Sequence, residues 1–600
     1  MAKTLGLDIP ELSKPDRDDF DLRPKSVDEW LDNLPRGNVG ETARQIFEAL
    51  VESNRFKYSY QHRLHFLESS RETIMHVTDA MKRHFVGIHA PLPIRNQKIA
   101  AATREIHYAM AMGYMICIEN FLSHNLFFAD SKQLAQLMQR AISSLGKALL
   151  TCYQTYSPYP AGIWSHLHRL YSAAEQQKLL TATVVDDQNI YAVKSNIHTE
   201  YIRIILLALT SPYRLRHGEA GKVYNVLERW VHKTRLTTLN NDTSRSATRF
   251  GVNLASDEPP RSIALTTEDC DHEFCRILDS SSLTKAIRKD LKHGFKTGET
   301  TITGIEMNRP DLSHNLMKRL LIAWCIVPKR GFSRTDKQEQ VQITMGLTAT
   351  HQVIISGSRK NAEPDIFSKA ANYKSSNATS SMNLEQPDVW DMIYFPNDAE
   401  GLDNLEEQFA KEKQKQPQNN KPAEQSETWM ILNESARGYC LTSSSGTRSR
   451  AQVGELIGIR RVARDHTWKW GVGVIRWLRN NANETLMLGI EMLTPDAAAI
   501  GVRAVTNTRH DYQRTLMLPE LAAVNQPTSL ITTAVPYRVG QQLVINILGK
   551  EILVRLSKQL QNTGLFSQFT FDIMEEQSAV HSGKEQEADE SDFSSVWGSI

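Results

Sequence analysis

At 600 residues the chain is too long for one hydrophobic core, so several domains are expected. Lys plus Arg (70) nearly balances Asp plus Glu (68), and a net charge of +2 excludes a global electrostatic argument for nucleic acid or an anionic membrane. Any anion site must be local. The six cysteines, at 117, 152, 270, 275, 325 and 440, are scattered and form no disulfide framework. The N-terminal residues carry no apolar signal core, and the most apolar stretch, Ala109 to Leu122, is too short to span a bilayer and is interrupted by Glu119-Asn120. These features lead to the expectation of a cytoplasmic protein.

Residues 1–38 are polar, with Pro10, Pro15, Pro24 and Pro35, and read as an extended leader. From 39 to 236 the helical period dominates. Glu41 to Phe56 places Ala43, Ile46, Phe47, Leu50 and Val51 on one face, and Tyr58 to Phe85 continues with Leu64, Leu67, Ile74, Val77 and Met81. Further helices are predicted over about 97–123, 131–155, 163–180, 197–209 and 220–236. Breakers such as Ser157-Pro158-Tyr159-Pro160 separate them, which predicts antiparallel packing. Residues 237–327 mix strand and helix patterns and read as a connecting region with its own small core.

Residues 339–356 have strand character through Val341, Ile343 and Met345, then Val353, Ile354 and Ile355. From about 357 to 427 the composition shifts to Asn, Ser, Gln, Lys, Glu and Pro, the signature of a disordered insertion. After Trp429 short strands resume at 453–459, 471–479 and 486–493, with the spacing of a small antiparallel barrel. Residues 504–576 carry a second strand-rich set. An acidic tail, 577–600, ends in an apolar stripe of Phe593, Val596, Trp597 and Ile600. The stretch Asp592–Ile600 suits either a partner's groove or packing onto its own domain.

Two local patterns carry chemistry. Asn433-Glu434-Ser435-Ala436-Arg437-Gly438 lies between two hydrophobic runs and reads as strand, polar turn, strand. Its Asn and Ser offer short hydrogen-bonding groups, and Gly438 allows close approach to the backbone. Arg330 and Arg334 flank Gly331-Phe332-Ser333 just before the first barrel strand. A guanidinium fork binds phosphate bidentately, addresses the O6/N7 edge of guanine, and stacks on a base. By residue type alone, an ordinary turn and a solvated basic linker with Lys329 and Lys337 fit equally well.

Together these residues resemble the PilZ domain: an Arg-x-x-x-Arg arm, an Asn/Asp-x-Ser-x-x-Gly turn, and a strand ending near Gly-Ile/Val-Glu, here Leu488-Gly489-Ile490-Glu491. Val453-Gly454-Glu455-Leu456 and Val474-Ile475-Arg476-Trp477 also look like PilZ strands. The resemblance covers about 328–503. It implies a six-stranded antiparallel barrel that binds cyclic di-GMP, with Arg330 and Arg334 on phosphates and guanine, Asn433 and Ser435 on a guanine, and Gly438 permitting approach. The chain departs from the family in the long insertion between Arg334 and Asn433, which loop entropy tolerates.

The expected architecture is therefore multidomain α + β: an antiparallel helical module, a PilZ-like barrel, and further C-terminal strands. The expected role is a bacterial non-enzymatic effector that couples cyclic di-GMP binding to a protein partner held by the helical module or by Asp592–Ile600. A ligand-free scaffold is the alternative. No metal site is expected. Cys270-Asp271-His272-Glu273-Phe274-Cys275 lacks a second Cys/His pair and reads as structural or incidental thiols. His166 and His168 are two apart on a helix and read as packing or solvent positions.

Overall fold

The computed structural model describes residues 5–16, 19–123, 131–239, 246–263, 273–297, 312–326, 332–358, 426–443, 451–462, 469–481, 485–505, 512–521, 526–535, 537–547 and 550–574. Two compact units form, one from the described residues up to Ile326 and one from those beginning at Phe332. The proposed disordered insertion lies outside the described residues apart from its edges, as do Arg330 and the Asp592–Ile600 stripe.

The first unit is helical, over α1 (Pro24–Asp32), α2 (Val39–Ser53), α3 (Tyr60–Lys82), α4 (Ile94–Ser123), α5 (Ser131–Gln154) and α6 (Ile163–Gln176). A short hairpin, β1 (Val184–Val185) with β2 (Lys194–Ser195), precedes α7 (Ile197–Leu209) and α8 (Glu219–Trp230). The starts are encoded locally. Asn38 accepts a hydrogen bond from the Glu41 amide at 3.0 Å, Ser59 from the His62 amide at 3.2 Å, and Asn196 from the Thr199 amide at 2.8 Å. α4 packs between α2, α3 and α5 and is buried on most of its circumference, which explains the apolar run from Ala109 to Leu122. Such a helix is a core element. Among the described residues no helix is long and apolar enough to cross a membrane.

The N-terminal segment docks on this unit. The Leu5 and Leu7 amides donate to the Glu119 carboxylate at 3.0–3.1 Å, and Leu7, Leu22 and Val27 are buried. Pro24 begins α1, where its missing N–H costs nothing.

The mixed region forms a four-stranded sheet in the order β3 (Arg235–Thr238), β6 (Cys275–Asp279), β4 (Arg249–Asn253), β5 (Arg261–Ser262), followed by α9 (Ser281–Thr297) and α10 (His314–Cys325). Its apolar residues do not make a separate core. Phe250, Val252, Leu278, Ile287 and Trp324 join the helical core, and the Trp324 indole N–H donates to the Leu206 carbonyl at 3.1 Å. Cys270 lies outside the described residues, and Cys275 is engaged in a disulfide rather than being a thiol. His168 is a packing residue. Its ring nitrogens meet the Tyr201 hydroxyl at 2.6 Å and the Glu258 carbonyl at 2.9 Å.

The second unit contains two closed six-stranded barrels. The first comprises β7 (Thr335–Met345), β8 (Glu427–Ser435), β9 (Gly438–Ser443), β10 (Leu456–Arg461), β11 (Gly471–Asn480) and β12 (Leu486–Thr494) in the order β10-β11-β12-β9-β8-β7. The second comprises β13 (Ala498–Ala504), β14 (Gln513–Leu518), β15 (Ser529–Thr533), β16 (Gln542–Ile547), β17 (Lys550–Asn562) and β18 (Phe566–Ile573) in the order β13-β14-β15-β18-β17-β16. Closure removes the exposed strand edges that would otherwise template aggregation.

One expected strand is a helix. Val353-Ile354-Ile355 lies in α11 (Leu347–Ser358), although β-branched runs favour strands. Gly346, at φ 89°, ends β7 and turns the chain. Packing then overrides propensity. Ile354 enters a core shared by both barrels, with Leu456, Trp470 and Val474 of the first and Leu516, Ile531 and Phe566 of the second. The His351 ring also meets the Ile500 carbonyl at 3.1 Å.

Candidate functional site

β8 and β9 form a hairpin closed by Ala436 and Arg437, with Ser435 paired to Gly438. The Ser435 hydroxyl donates to the Gly438 carbonyl at 3.3 Å, which satisfies an acceptor at the turn. Gly438 has a structural necessity of its own. A Cβ there would sit 1.9 Å from the Ile490 carbonyl oxygen, so the close approach it permits includes that of β12.

Strand register orders the site. Ile431, Leu441, Leu488 and Leu478 form one cross-strand row, and all four are fully buried. The neighbouring row runs Asp336, Asn433, Cys440, Gly489, Trp477. Pleating sends this second row to the opposite, outer face of the barrel. Ser435 lies two residues beyond Asn433 on the same strand, and so shares that face.

The Trp477 indole lies over Gly489, where a Cβ would fall 1.7 Å from Nε1. The glycine is the seat that holds this ring on the outer face. Sequence reasoning treated Trp477 only as a barrel residue. The signal that could have found it was its pairing with the glycine of Leu488-Gly489-Ile490-Glu491.

The arginine arm is half in view. Thr335 pairs with Glu434 and Asp336 with Asn433, so the register carries Arg334 alongside Ser435. Arg334 is exposed. Its charge reaches the Cys440 thiol: burial raises that thiol's pKa, and the guanidinium pulls the other way. Arg334 thus immediately precedes the strand end that pairs with Glu434 and Asn433. Arg330 lies outside the described residues.

Glu434 anchors the hairpin from the other face. Its carboxylate pairs with Lys337 at 2.7 Å and with Arg461, whose guanidinium stands 5.5 Å from the Tyr439 ring centre. The Lys337 hydrogen bond, helped by the Arg461 charge, holds the carboxyl below its ordinary range against partial burial. On the outer face, Glu491 pairs with Arg476 at 2.6 Å, and Arg476 donates to Gln561 of β17 at 3.1 Å. The second barrel is thus hydrogen-bonded to a residue one position from Trp477. The exposed face offers a cation, an amide, a hydroxyl and an indole plane, which are the groups needed to bind phosphate, a purine edge and a purine face. Among the described residues no group of His, Cys, Asp and Glu could hold a metal.

Three family models match in tandem: the N-terminal domain of the cyclic-di-GMP receptor FimW over residues 25–242, its middle PilZ domain over 249–499, and its C-terminal beta-barrel domain over 499–574. The chain is a PilZ-domain protein. Its PilZ match ends where β13 begins, so the second barrel corresponds to the C-terminal barrel of that receptor. The helical region, for which sequence reasoning found no family, matches the receptor's N-terminal domain. The cyclic-di-GMP receptor FimW of Pseudomonas aeruginosa is 28% identical, with 99% of each chain covered. No solved structure matches.

Proposed function

We propose that this protein is a cyclic di-GMP receptor that binds the nucleotide on the outer face of its PilZ barrel and carries out no chemistry on it. The observation that carries this reading is the register that brings Arg334 beside Asn433 and Ser435 in a domain matched to a receptor's PilZ domain. Arg334, with Arg330, clamps phosphate and guanine. Asn433 and Ser435 address a guanine edge. Trp477 offers a ring against which a base stacks.

The receptor acts in the cytoplasm and hands its ligand state to a protein partner through the helical unit or through Asp592–Ile600. A ligand can shift such an equilibrium only by its differential affinity for the two arrangements. Ordering of the arginine arm provides that difference.

Calorimetric titration with cyclic di-GMP tests this reading. Saturable binding that weakens at least tenfold in Arg334→Ala, with barrel stability unchanged, supports it. Flat heats for the wild-type protein, with no shift in Tm at high nucleotide, refute it and leave a scaffold built on a ligand-free PilZ barrel.

A further inference from the structure

The helical unit holds a polar pocket that the nucleotide site does not use. It has a volume of about 20 Å³, and its walls include Arg71, His107, Arg140, Ser144, Lys147 and Asp186. Asp186, carried by the β1–β2 hairpin segment, binds both guanidiniums, at 2.5 Å from Arg71 and 2.8 Å from Arg140. Burial pushes its carboxyl up, but Arg140 and Arg71 outweigh that and hold it at about 2. Asp186 is thus engaged chiefly by the arginines, with a hydrogen bond from Gln139 and a lesser pull from the Lys147 charge. Glu68 and the exposed Asp187 also pair with these guanidiniums, and neither lines the pocket.

Lys147 feels the Asp186 and Glu200 charges only from beyond ion-pair distance. Its ammonium donates to the Gln188 side chain at 2.7 Å, and no described carboxylate comes within ion-pair reach. Burial pushes it down to about 8, so it still carries its charge at neutral pH. His107 cannot accept that role, because burial keeps it neutral. Ser143, Ser144 and the buried Tyr114 line the same pocket. A buried ammonium with no carboxylate in ion-pair contact is costly unless an anion completes it.

We propose that this pocket binds a small oxyanion, the phosphate or carboxylate end of a ligand, on Lys147 with support from Arg71 and Arg140. The volume fits little more than one water-sized centre, so it takes an end group and excludes a nucleobase. Its walls come from α3, α4, α5 and the β1–β2 hairpin segment, so occupancy ties that hairpin to the helices.

The test is thermal unfolding and calorimetry of the full chain in chloride-free buffer, titrated separately with inorganic phosphate and with acetate. The expected result is saturable binding of at least one of these anions, weakened more than tenfold in Lys147→Met, retained within a few-fold in Lys147→Arg, and abolished in Ser144→Asp. The aspartate serves as an internal ligand and should raise Tm. Affinity should fall as pH rises through 8, since Lys147 loses its charge there while Asp186 stays ionised and His107 stays neutral. Cyclic di-GMP binding should be unaffected in all three variants. Absence of saturable binding by either anion to the wild-type protein, or undiminished binding by a folded Lys147→Met variant, overturns the proposal.

Discussion

Gly438→Ala is the sharpest test of the hairpin geometry, because the contact it violates is with backbone and cannot be relieved by a rotamer. The new Cβ would stand 1.9 Å from the Ile490 carbonyl oxygen, 3.0 Å from its carbon and 3.2 Å from the Glu491 Cα. A comfortable carbon-to-oxygen contact is about 3.3 Å or more. Either β9 or β12 must therefore retreat by roughly 1.4 Å. That movement breaks the Gly438–Glu491 pairing and the adjoining bond from the Met492 amide to the Arg437 carbonyl, now 2.9 Å. Losing one or two such bonds, with the freed groups partly buried, costs about 2–4 kcal/mol. Calorimetric unfolding of the full chain should show the transition of the barrel unit at lower temperature, with that of the helical unit unmoved. Cyclic di-GMP affinity should fall with it, since the turn positions Ser435. Gly37→Ala, where a Cβ meets nothing within 4 Å, is the control and should leave both transitions in place. A Gly438→Ala protein with the wild-type barrel transition and wild-type affinity would refute the reasoning.

Trp477→Ala should weaken cyclic di-GMP binding by about tenfold or more if a base stacks on the indole, since such stacking contributes roughly 1–3 kcal/mol per base; isothermal titration at constant salt measures it. Asp186→Asn removes the most buried carboxylate that Arg71 and Arg140 share and leaves them Glu68 and the exposed Asp187, so the helical transition should drop, by less than the roughly 3–5 kcal/mol of a fully broken buried pair, while the barrel transition stays. The His168 imidazole is pushed by burial from 6.5 to about 4 in the folded state. Between those values the unfolded chain holds the extra proton, so stability falls as pH falls through that window, by about 3 kcal/mol in all. His168→Gln should flatten the pH dependence of Tm between pH 6.5 and 4, and an unchanged slope would show that the proton resides elsewhere.

The helices were legible because their signals are local. Asn38, Ser59 and Asn196 cap helices in the structure, and the apolar period of Ala43, Ile46 and Leu50 marks a buried face of α2. The barrel was legible as strand spacing, and its family through the Asn433-to-Gly438 turn. What the sequence concealed depends on partners distant along the chain. Val353-Ile354-Ile355 reads as strand in isolation, and only the shared core of two barrels makes it a helix. β13 hides in the small residues Ala498-Ala499 and Gly501, whose burial follows from pairing with β14 and β16. Trp477 could not be tied to the site without the register that sets it over Gly489. The Lys147 pocket is equally invisible, since its walls span residues 71 to 188.

The two barrels share an apolar core, and this constrains how a bound nucleotide can be read out. Trp470, Val472 and Val474 pack in one cluster with Leu516, Ile531 and Phe566, and α11 contributes Ile354 to it. Close-packed interiors transmit displacement rather than absorb it. The outer face adds a polar tie, Glu491 to Arg476 to Gln561, whose first member lies against Gly438. A ligand that pulls on the β8–β9 turn therefore loads β12, and through Arg476 it loads β17 as well. On the proposed reading the second barrel is part of the sensor, and Gln561→Ala separates the two cases. If the tie transmits, the variant binds cyclic di-GMP with unchanged affinity but loses the ligand-dependent change in hydrogen-exchange protection along β17. If β17 protection responds to nucleotide equally in both proteins, the second barrel takes its signal through the apolar core alone.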